Sequence, residues 1–295
     1  MQGVTEFLPV SSDGHLVIFQ NLFGMTEPQV LFDVMLHMGT LAAILIVFRK
    51  EVGELIRAAL RIVLDRKVGD DPNERMLLSI AVGCIPTAII GVVFADQFER
   101  MFASVVAAGI GLMITGVFLA STLLKKNRAA QAVVGHSDFS NIACSAPAEI
   151  AVSASGEPGT KALFSKTVPL GYALLIGTGQ GLAIAPGISR SGTTIAIALL
   201  LGVDRELAAR FSFLMAIPAI LGAFLFEMRD YSSLTNGGEA VGGGAILLGT
   251  LAAMAMGIVA LKLLLNVVKR GRISLFAYYC WAVGVIAIAV GIIES

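Results

Sequence analysis

Two stretches of the chain place the same polar residues at the same spacing inside almost unbroken apolar sequence. Residues 2–15 read QGVTEFLPVSSDGH, and residues 180–192 read QGLAIAPGISRSG. In both, Gln, Gly, Ser and Gly stand at relative positions 0, 1, 9 and 12, with a proline shortly before the serine. A repeated polar group is costly to bury in apolar surroundings, so it marks the expected functional site.

Both stretches predict a site for phosphate. After Pro9, the run Ser11–Asp13 is a good N-cap for a returning half-helix, and Ser189 can cap a second half-helix. Two helix N-termini that meet in one place present free N–H groups and bind anions, phosphates above all. Arg190 can bind phosphate oxygens and stabilise charge in phosphoryl transfer. The alternative is that its side chain extends to the interface between membrane and water. The phosphate contacts are predicted from Ser11, Gly187, Ser189, Ser191, Gly192 and Thr193.

The first stretch also carries groups for acid–base or metal chemistry. Gln2 and Glu6 share a helical face, and a carboxylate with an amide oxygen suits a divalent cation, Mg²⁺ or Ca²⁺. Glu6 is alternatively a general base or simply the ion-pair partner of Arg190. Ser12 and His15 also share a face, which is a nucleophile–base arrangement, although His15 could instead protonate the leaving phosphate. Whether Ser12, His15 or a metal-activated water attacks phosphorus stays open.

Two patterns outside these stretches have competing interpretations. Asp33 and His37 share a helix face within a span, where ionisable residues are functional by default, but a polar pair that packs helices is equally compatible. The run 211–218 is expected to be core or lipid-facing, with a lining for a lipid tail as the alternative.

The composition identifies a membrane protein. The chain is 56% hydrophobic and 14% charged, with a mean hydropathy of +0.84, whereas a soluble domain has about 25% charged residues. A net charge of zero argues against a nucleic-acid partner, because such a partner requires a basic surface. The three cysteines have no metal-ligand spacing, and Cys84 and Cys280 are expected to be small buried hydrophobic residues.

Six apolar stretches are long enough to cross a bilayer, which takes roughly 20 residues. They are 31–48, 76–95, 101–124, 206–228, 244–267 and 273–293. Residues 53–64 carry charges at helical spacing and predict an amphipathic surface helix. Lys and Arg concentrate in the loops that follow the first, third and fifth spans, which places those loops in the cytoplasm.

The two polar stretches do not fit as full spans, because proline, glycine and polar side chains interrupt them. If each enters the membrane halfway and returns, every loop keeps its assigned side, and the two hairpins meet near the midplane. The predicted fold is therefore an all-α polytopic membrane protein with six transmembrane helices and two re-entrant helical hairpins in an inverted-topology repeat. Repeat 1 covers 1–124, a cytoplasmic linker covers 125–166, and repeat 2 covers 167–295.

The two stretches resemble the signatures of the bacterial undecaprenyl-diphosphate phosphatase family, also called bacitracin resistance protein. The likeness rests on residues 2–15 and 186–195 (PGISRSGTTI), with further similarity in 32–40 (FDVMLHMGT) and 211–214 (FSFL). It covers nearly the whole chain. It implies hydrolysis of undecaprenyl diphosphate to the monophosphate and phosphate, at the outer face of the bacterial inner membrane. That reaction recycles the lipid carrier for peptidoglycan synthesis and confers resistance to bacitracin.

The resemblance also implies roles for individual residues. Gln2 stands at the family's first Glu-or-Gln position, and a homodimer is expected. The chain begins inside the first motif, so the first arm of that hairpin is expected to be missing. Asp13 stands where Thr is common and adds a negative charge beside the phosphate site, and the linker is longer than usual. Carried over by position, the catalytic set is Glu6, Ser12, His15 and Arg190.

Two other functions compete with hydrolysis. A transporter or lipid flippase is the main rival, because secondary transporters also use inverted repeats and broken helices. Ser12, His15 and Arg190 favour chemistry, since transport alone needs no nucleophile. The acid-phosphatase-like lipid phosphatases need a histidine downstream of their Ser-Arg motif, and no histidine follows Arg190.

Overall fold

The computed structural model describes residues 1–23, 30–66, 69–134, 167–231 and 243–293, and all regular secondary structure within these ranges is helical. The helices of the described residues are α1 (Gln2–Thr5), α2 (Ser12–Leu22), α3 (Val30–Val47), α4 (Arg49–Asp65), α5 (Pro72–Val93), α6 (Ala95–Phe102), α7 (Val105–Val134), α8 (Leu170–Leu182), α9 (Arg190–Leu201), α10 (Arg205–Tyr231), α11 (Gly243–Lys269) and α12 (Leu275–Ile293).

Five of these helices, α5, α7, α10, α11 and α12, are long and apolar enough to cross a membrane. A sixth span exists if α3 and α4 are taken as one pair, which is bent by 86°. The sharp bend lies at Phe48, between apolar α3 and amphipathic α4. A multi-pass helical membrane protein is therefore confirmed, with five to six candidate spans in the described part of the chain.

The structure differs from the sequence prediction in one connection. The predicted spans 76–95 and 101–124 leave residues 96–100 between them as a turn, but these residues form most of helix α6. Asp96 lies in the first turn of α6 and Arg100 in its last turn. Each charge has the sign that the nearby end of the helix dipole favours, which helps so short a helix to form.

The predicted hairpins are pairs of short helices joined by irregular backbone. The first pair is α1 and α2, and the second is α8 and α9. Residues 6–11 and 183–189 form the irregular connections, called the first and second breaks below. Helix α1 packs against α11, and α8 packs against α5, so a long helix supports each hairpin.

Glycines allow these supporting contacts to be very close. A methyl group on Gly177 of α8 would collide with the carbonyl oxygen of Gly83 on α5, and one on Gly3 of α1 would collide with that of Ala253 on α11. Thr87 also donates a hydrogen bond of 2.8 Å to the carbonyl oxygen of Gly177. Small residues at such interfaces let helix backbones approach, and polar side chains then bond across them.

Two sequence predictions about apolar and linker segments can be compared with these helices. The run 211–216 is buried, so these residues are core. Helix α7 continues to Val134 and so includes the first residues of the predicted linker. The rest of that linker, residues 135–166, lies outside the described residues.

Candidate active site

The two breaks end in matching helix caps. The hydroxyl of Ser11 accepts a hydrogen bond from the Gly14 amide at 3.1 Å, and the hydroxyl of Ser189 accepts one from the Gly192 amide at 3.1 Å. These are the N-caps that the sequence predicts for α2 and α9. Each cap therefore fixes the position at which a half-helix begins.

The first cap requires an unfavourable backbone conformation. Ser11 has φ 63° and ψ 106°, although it is not glycine. Such conformations cost on the order of 1–3 kcal/mol and persist only where surrounding contacts enforce them. In the second stretch the positive φ falls on Gly187, at 85°, where no side chain opposes it.

Thr115 of α7 holds the second break. Its hydroxyl donates to the carbonyl oxygen of Gly187 at 3.0 Å and accepts from the Ser189 amide at 2.8 Å. A methyl group on Gly187 would collide with the carbonyl oxygen of Ala108, also on α7. Glycine is therefore required at 187 for close contact with α7 as well as for its φ.

Each break packs against the beginning of the other hairpin's second helix, α2 or α9. A methyl group on Gly14 would lie 2.8 Å from the Cα of Gly187, and one on Gly192 would lie 3.1 Å from the Cβ of Pro9. The Ser191 hydroxyl donates to the carbonyl oxygen of Phe7 at 2.9 Å. The beginnings of α2 and α9 therefore lie in one place, as the sequence predicts.

Glu6 lies at the centre of the polar groups gathered there. One of its carboxylate oxygens pairs with the Arg190 guanidinium. The other, Oε2, accepts from the Ser12 hydroxyl at 2.7 Å and from the Gln2 amide at 2.9 Å. Glu6 is 7% exposed, so this carboxylate is desolvated and stabilised by three donors. The ion pair between Glu6 and Arg190 joins the two stretches of sequence.

His15 has different partners from those that its spacing predicts. Its Nδ1 lies 2.7 Å from the carbonyl oxygen of Ser11, and its Nε2 lies 2.8 Å from the hydroxyl of Tyr279 on α12. The Ser12 hydroxyl is directed to Glu6 and, at 3.4 Å, to Asp13. Glu6, rather than His15, is thus the acceptor next to the Ser12 hydroxyl.

His37 of α3 joins the site. Its Nδ1 faces the carbonyl oxygen of Asp33 at 2.9 Å, and its Nε2 lies 3.0 Å from the Gln2 amide nitrogen. The same Nε2 lies 3.7 Å from a carboxylate oxygen of Glu6 and 3.7 Å from one of Asp13. The Asp13 carboxylate, which the sequence analysis places beside the phosphate site, therefore faces the imidazole of His37.

The sequence prediction of the site did not include two of these residues, His37 and Tyr279. An ionisable residue within a span is the signal for His37, which the sequence leaves equally open as a packing residue. Tyr279 gives no comparable signal, since it lies 264 residues from His15 among other aromatic residues.

The other predicted phosphate contacts serve mainly to join parts of the protein. Ser11 and Ser189 cap helices, and Ser191 bonds to the first break. Thr193 is 1% exposed, and in the described part of the chain its hydroxyl has no hydrogen-bond partner. Arg190, at 21% side-chain exposure, is the predicted contact that is best placed to meet an anion from outside.

The predicted metal ligands, Gln2 and Glu6, lie side by side. The described residues contain no group of three His, Cys, Asp or Glu side chains that could hold a metal ion. Two oxygen ligands fit a magnesium-type ion only if phosphate and water complete its coordination.

Comparison with known proteins assigns the chain to a family. Residues 1–286 match the family model described as bacitracin resistance protein BacA. The chain belongs to this family. Two proteins that are similar to this chain are the undecaprenyl-diphosphatase of Desulforapulum autotrophicum and that of Desulfosudis oleivorans. The first is 41% identical over 301 residues, covering 99% of this chain and 96% of the relative. The second is 43% identical over 298 residues, covering 99% and 95%. The family that the sequence resembles is thereby confirmed.

Proposed function

We propose that this BacA-family protein is a membrane phosphatase that hydrolyses undecaprenyl diphosphate to undecaprenyl phosphate and inorganic phosphate. Relatives that align over almost their whole length carry the name undecaprenyl-diphosphatase. The observation that carries the proposal within the molecule is the Glu6 carboxylate between the Ser12 hydroxyl and the Arg190 guanidinium. A nucleophile, a base and an anion clamp are the groups that phosphoryl transfer needs.

Binding of the diphosphate is assigned to Arg190 and to the beginnings of α2 and α9. A terminal phosphate that reaches this place competes with Glu6 for the guanidinium, whose planar donors suit phosphate oxygens. The free amides of two helix N-termini add partial positive charge on the same side. The substrate would therefore draw Arg190 away from Glu6 and leave that carboxylate a stronger base.

The chemical step then follows from the Ser12–Glu6 hydrogen bond. The Ser12 oxygen attacks the terminal phosphorus as its proton passes to Glu6 over 2.7 Å. A bond forms between the Ser12 oxygen and phosphorus, and the bond to the bridging oxygen breaks, with its electron pair leaving on undecaprenyl phosphate. A water then attacks the phosphorus of the phosphoserine and the bond from phosphorus to the Ser12 oxygen breaks. Glu6 returns its proton to the Ser12 oxygen, and the water supplies the OH group of the inorganic phosphate that departs. In the competing route Glu6 activates a water directly, and no phosphoserine forms.

A divalent cation, Mg²⁺ or Ca²⁺, is part of the proposal. Gln2 and Glu6 would hold it together with substrate oxygens and water, which is how Mg²⁺ commonly binds phosphorylated substrates. When bound, the cation would neutralise charge on the diphosphate. The steps above are assigned to Ser12, Glu6 and Arg190 themselves.

We further propose that the two halves form an inverted-topology repeat. Reciprocal contacts support it. Pro9 and Gly187 occupy matching positions in the two stretches, as do Gly14 and Gly192, and Gly14 packs on Gly187 while Gly192 packs on Pro9. Helix pairs also match, since α1 lies on α11 as α8 lies on α5.

The positions of the basic loops support a site that opens towards the periplasm. The homodimer stays a prediction, which light scattering in detergent would test.

The proposed role is recycling of the lipid carrier for peptidoglycan synthesis, with resistance to bacitracin as a consequence.

Phosphate release from undecaprenyl diphosphate by the purified protein in detergent tests the activity. Ser12→Ala and Arg190→Ala should each abolish most of the release. Ser121→Ala and Arg57→Ala are the matched controls, because they remove a serine of α7 and an exposed arginine of α4. Release that is unchanged in Ser12→Ala and Arg190→Ala would overturn the assignment.

A further inference from the structure

The hydroxyl of Tyr279, the ring of His15 and the carbonyl of Ser11 form one hydrogen-bonded chain, called the His15 bridge below. It joins α12 to the first break through bonds of 2.8 and 2.7 Å. The rings of Tyr279 and His15 are also stacked, with centroids 5.7 Å apart and planes at 6°. Stacking and hydrogen bonding together leave the imidazole little freedom to turn.

The bridge determines which ring nitrogen carries hydrogen. A carbonyl oxygen can only accept, so the His15 nitrogen that faces Ser11, Nδ1, must donate. In the neutral ring Nε2 is then an acceptor, and the Tyr279 hydroxyl donates to it. The lone pair that a base or a nucleophile would use is therefore already engaged. The other lone pair is absent, because Nδ1 carries hydrogen.

The carbonyl that receives the Nδ1 hydrogen belongs to the strained residue of the break. Ser11 has φ 63°, and its own hydroxyl caps α2. The residue after it is Ser12, the proposed nucleophile. A hydrogen bond that fixes the Ser11 carbonyl thus fixes the direction in which the chain enters α2 and presents the Ser12 hydroxyl to Glu6.

Helix α12 holds the same break at a second point. The thiol of Cys280, the residue next to Tyr279, donates to the carbonyl oxygen of Pro9 at 3.3 Å. Adjacent residues of α12 thereby hold the break on both sides of Val10, Cys280 directly and Tyr279 through His15. Loss of the Tyr279 hydroxyl alone would leave the Cys280 contact and the ring stacking in place.

We propose that Tyr279 is a positioning residue for the phosphatase reaction, and that His15 positions Ser11 and Ser12 instead of acting as nucleophile or base. The inference rests on the proposed function in one respect, namely that Ser12 is the group being positioned. It predicts that the donor at Nδ1 matters, whereas the basicity of the imidazole does not.

Asparagine separates these two properties of His15. Its side-chain amide can place a donor near the position of Nδ1, but it can serve neither as a base nor as a nucleophile. We expect His15→Asn to keep at least about a tenth of the wild-type kcat, and His15→Ala to fall at least about 100-fold. If His15→Asn folds with the wild-type thermal stability yet is as inactive as His15→Ala, the imidazole performs chemistry and the inference is wrong.

Phenylalanine tests the other end of the bridge. Tyr279→Phe keeps the ring and removes the hydroxyl, and we expect kcat to fall about five- to tenfold with KM changed less than about twofold. Added to His15→Ala, it should cause no further loss. The matched control is Tyr278→Phe, whose ring contacts Trp281 instead of the first break. Equal kcat values for the two phenylalanine variants would overturn the role of Tyr279.

Hydrogen exchange gives a readout that does not depend on activity. Amides of a peptide covering residues 8–16 should exchange faster in Tyr279→Phe than in wild type or Tyr278→Phe, because the break loses one of its fixed points. Unchanged exchange would contradict the bridge. If the wild-type protein releases no phosphate, the proposed function fails, while the exchange measurement still decides whether the bridge holds the break.

Discussion

Replacement of Glu6 by glutamine removes one charge while almost preserving the shape of the side chain. One carboxylate oxygen of Glu6 pairs with Arg190, and the other accepts from the Ser12 hydroxyl and the Gln2 amide. A glutamine in the same place has one oxygen and one NH₂ group. Whichever way it turns, its NH₂ group faces at least one other donor.

The expected effect on catalysis is large. General-base assistance is worth roughly 10²–10⁴ in rate, so kcat of Glu6→Gln should fall by about that factor. KM should stay constant or decrease, because Arg190 no longer has a carboxylate that competes with phosphate. Removal of one partner from a buried ion pair typically costs about 3–5 kcal/mol. Since Arg190 is 21% exposed on its side chain, we expect about half of that loss in unfolding free energy.

Phosphate release and thermal unfolding in the same detergent measure the two effects separately. Glu54→Gln is the matched control, because Glu54 also forms an ion pair with an arginine, Arg57, but on exposed α4. Glu6→Asp should recover part of the activity, since it keeps the charge on a shorter side chain. A kcat for Glu6→Gln within about threefold of wild type would refute the role of Glu6 as the base.

Three further variants test the geometry around Glu6. Gly14→Ala should lower the unfolding free energy by about 1–3 kcal/mol through overpacking against the second break, whereas Gly171→Ala, which meets nothing within 4 Å, should not lower it. Thr115→Val leaves the Gly187 carbonyl and the Ser189 amide without their partner, and it should cost about 1–3 kcal/mol in thermal unfolding and also reduce kcat. His37→Leu removes the imidazole that contacts the Gln2 amide and faces Glu6 and Asp13, and kcat should fall about three- to tenfold in the phosphate assay. A wild-type value in any of these measurements would contradict the corresponding contact.

Local features of the site could be predicted from sequence because they depend on residues close together in the chain. Ser11 and Ser189 cap their helices as their type and position indicate. The interrupted stretches do form pairs of short helices, and the long apolar runs form long helices. Capping and helix length follow from a few neighbouring residues, so the pattern contains the necessary information.

Contacts between distant helices could not be predicted in the same way. The spacing of Ser12 and His15 places both on one helical face, but it does not show that Tyr279 occupies Nε2 of His15. Helical periodicity indicates which side of a helix faces the protein, without identifying the helix that it meets there. The same applies to His37, whose role depends on how close α3 lies to Gln2. The 86° bend between α3 and α4 likewise depends on packing.

The most direct test of the account follows the terminal phosphate itself. Undecaprenyl diphosphate labelled at that phosphate would be added to the purified protein in liposomes, and the label would be traced in lipid and in water. We predict that the label appears as free phosphate, that unlabelled undecaprenyl phosphate accumulates in equal amount, and that Arg190→Ala stops both. Label that crosses the bilayer while still attached to the lipid, with no free phosphate, would contradict hydrolysis and support a transporter instead.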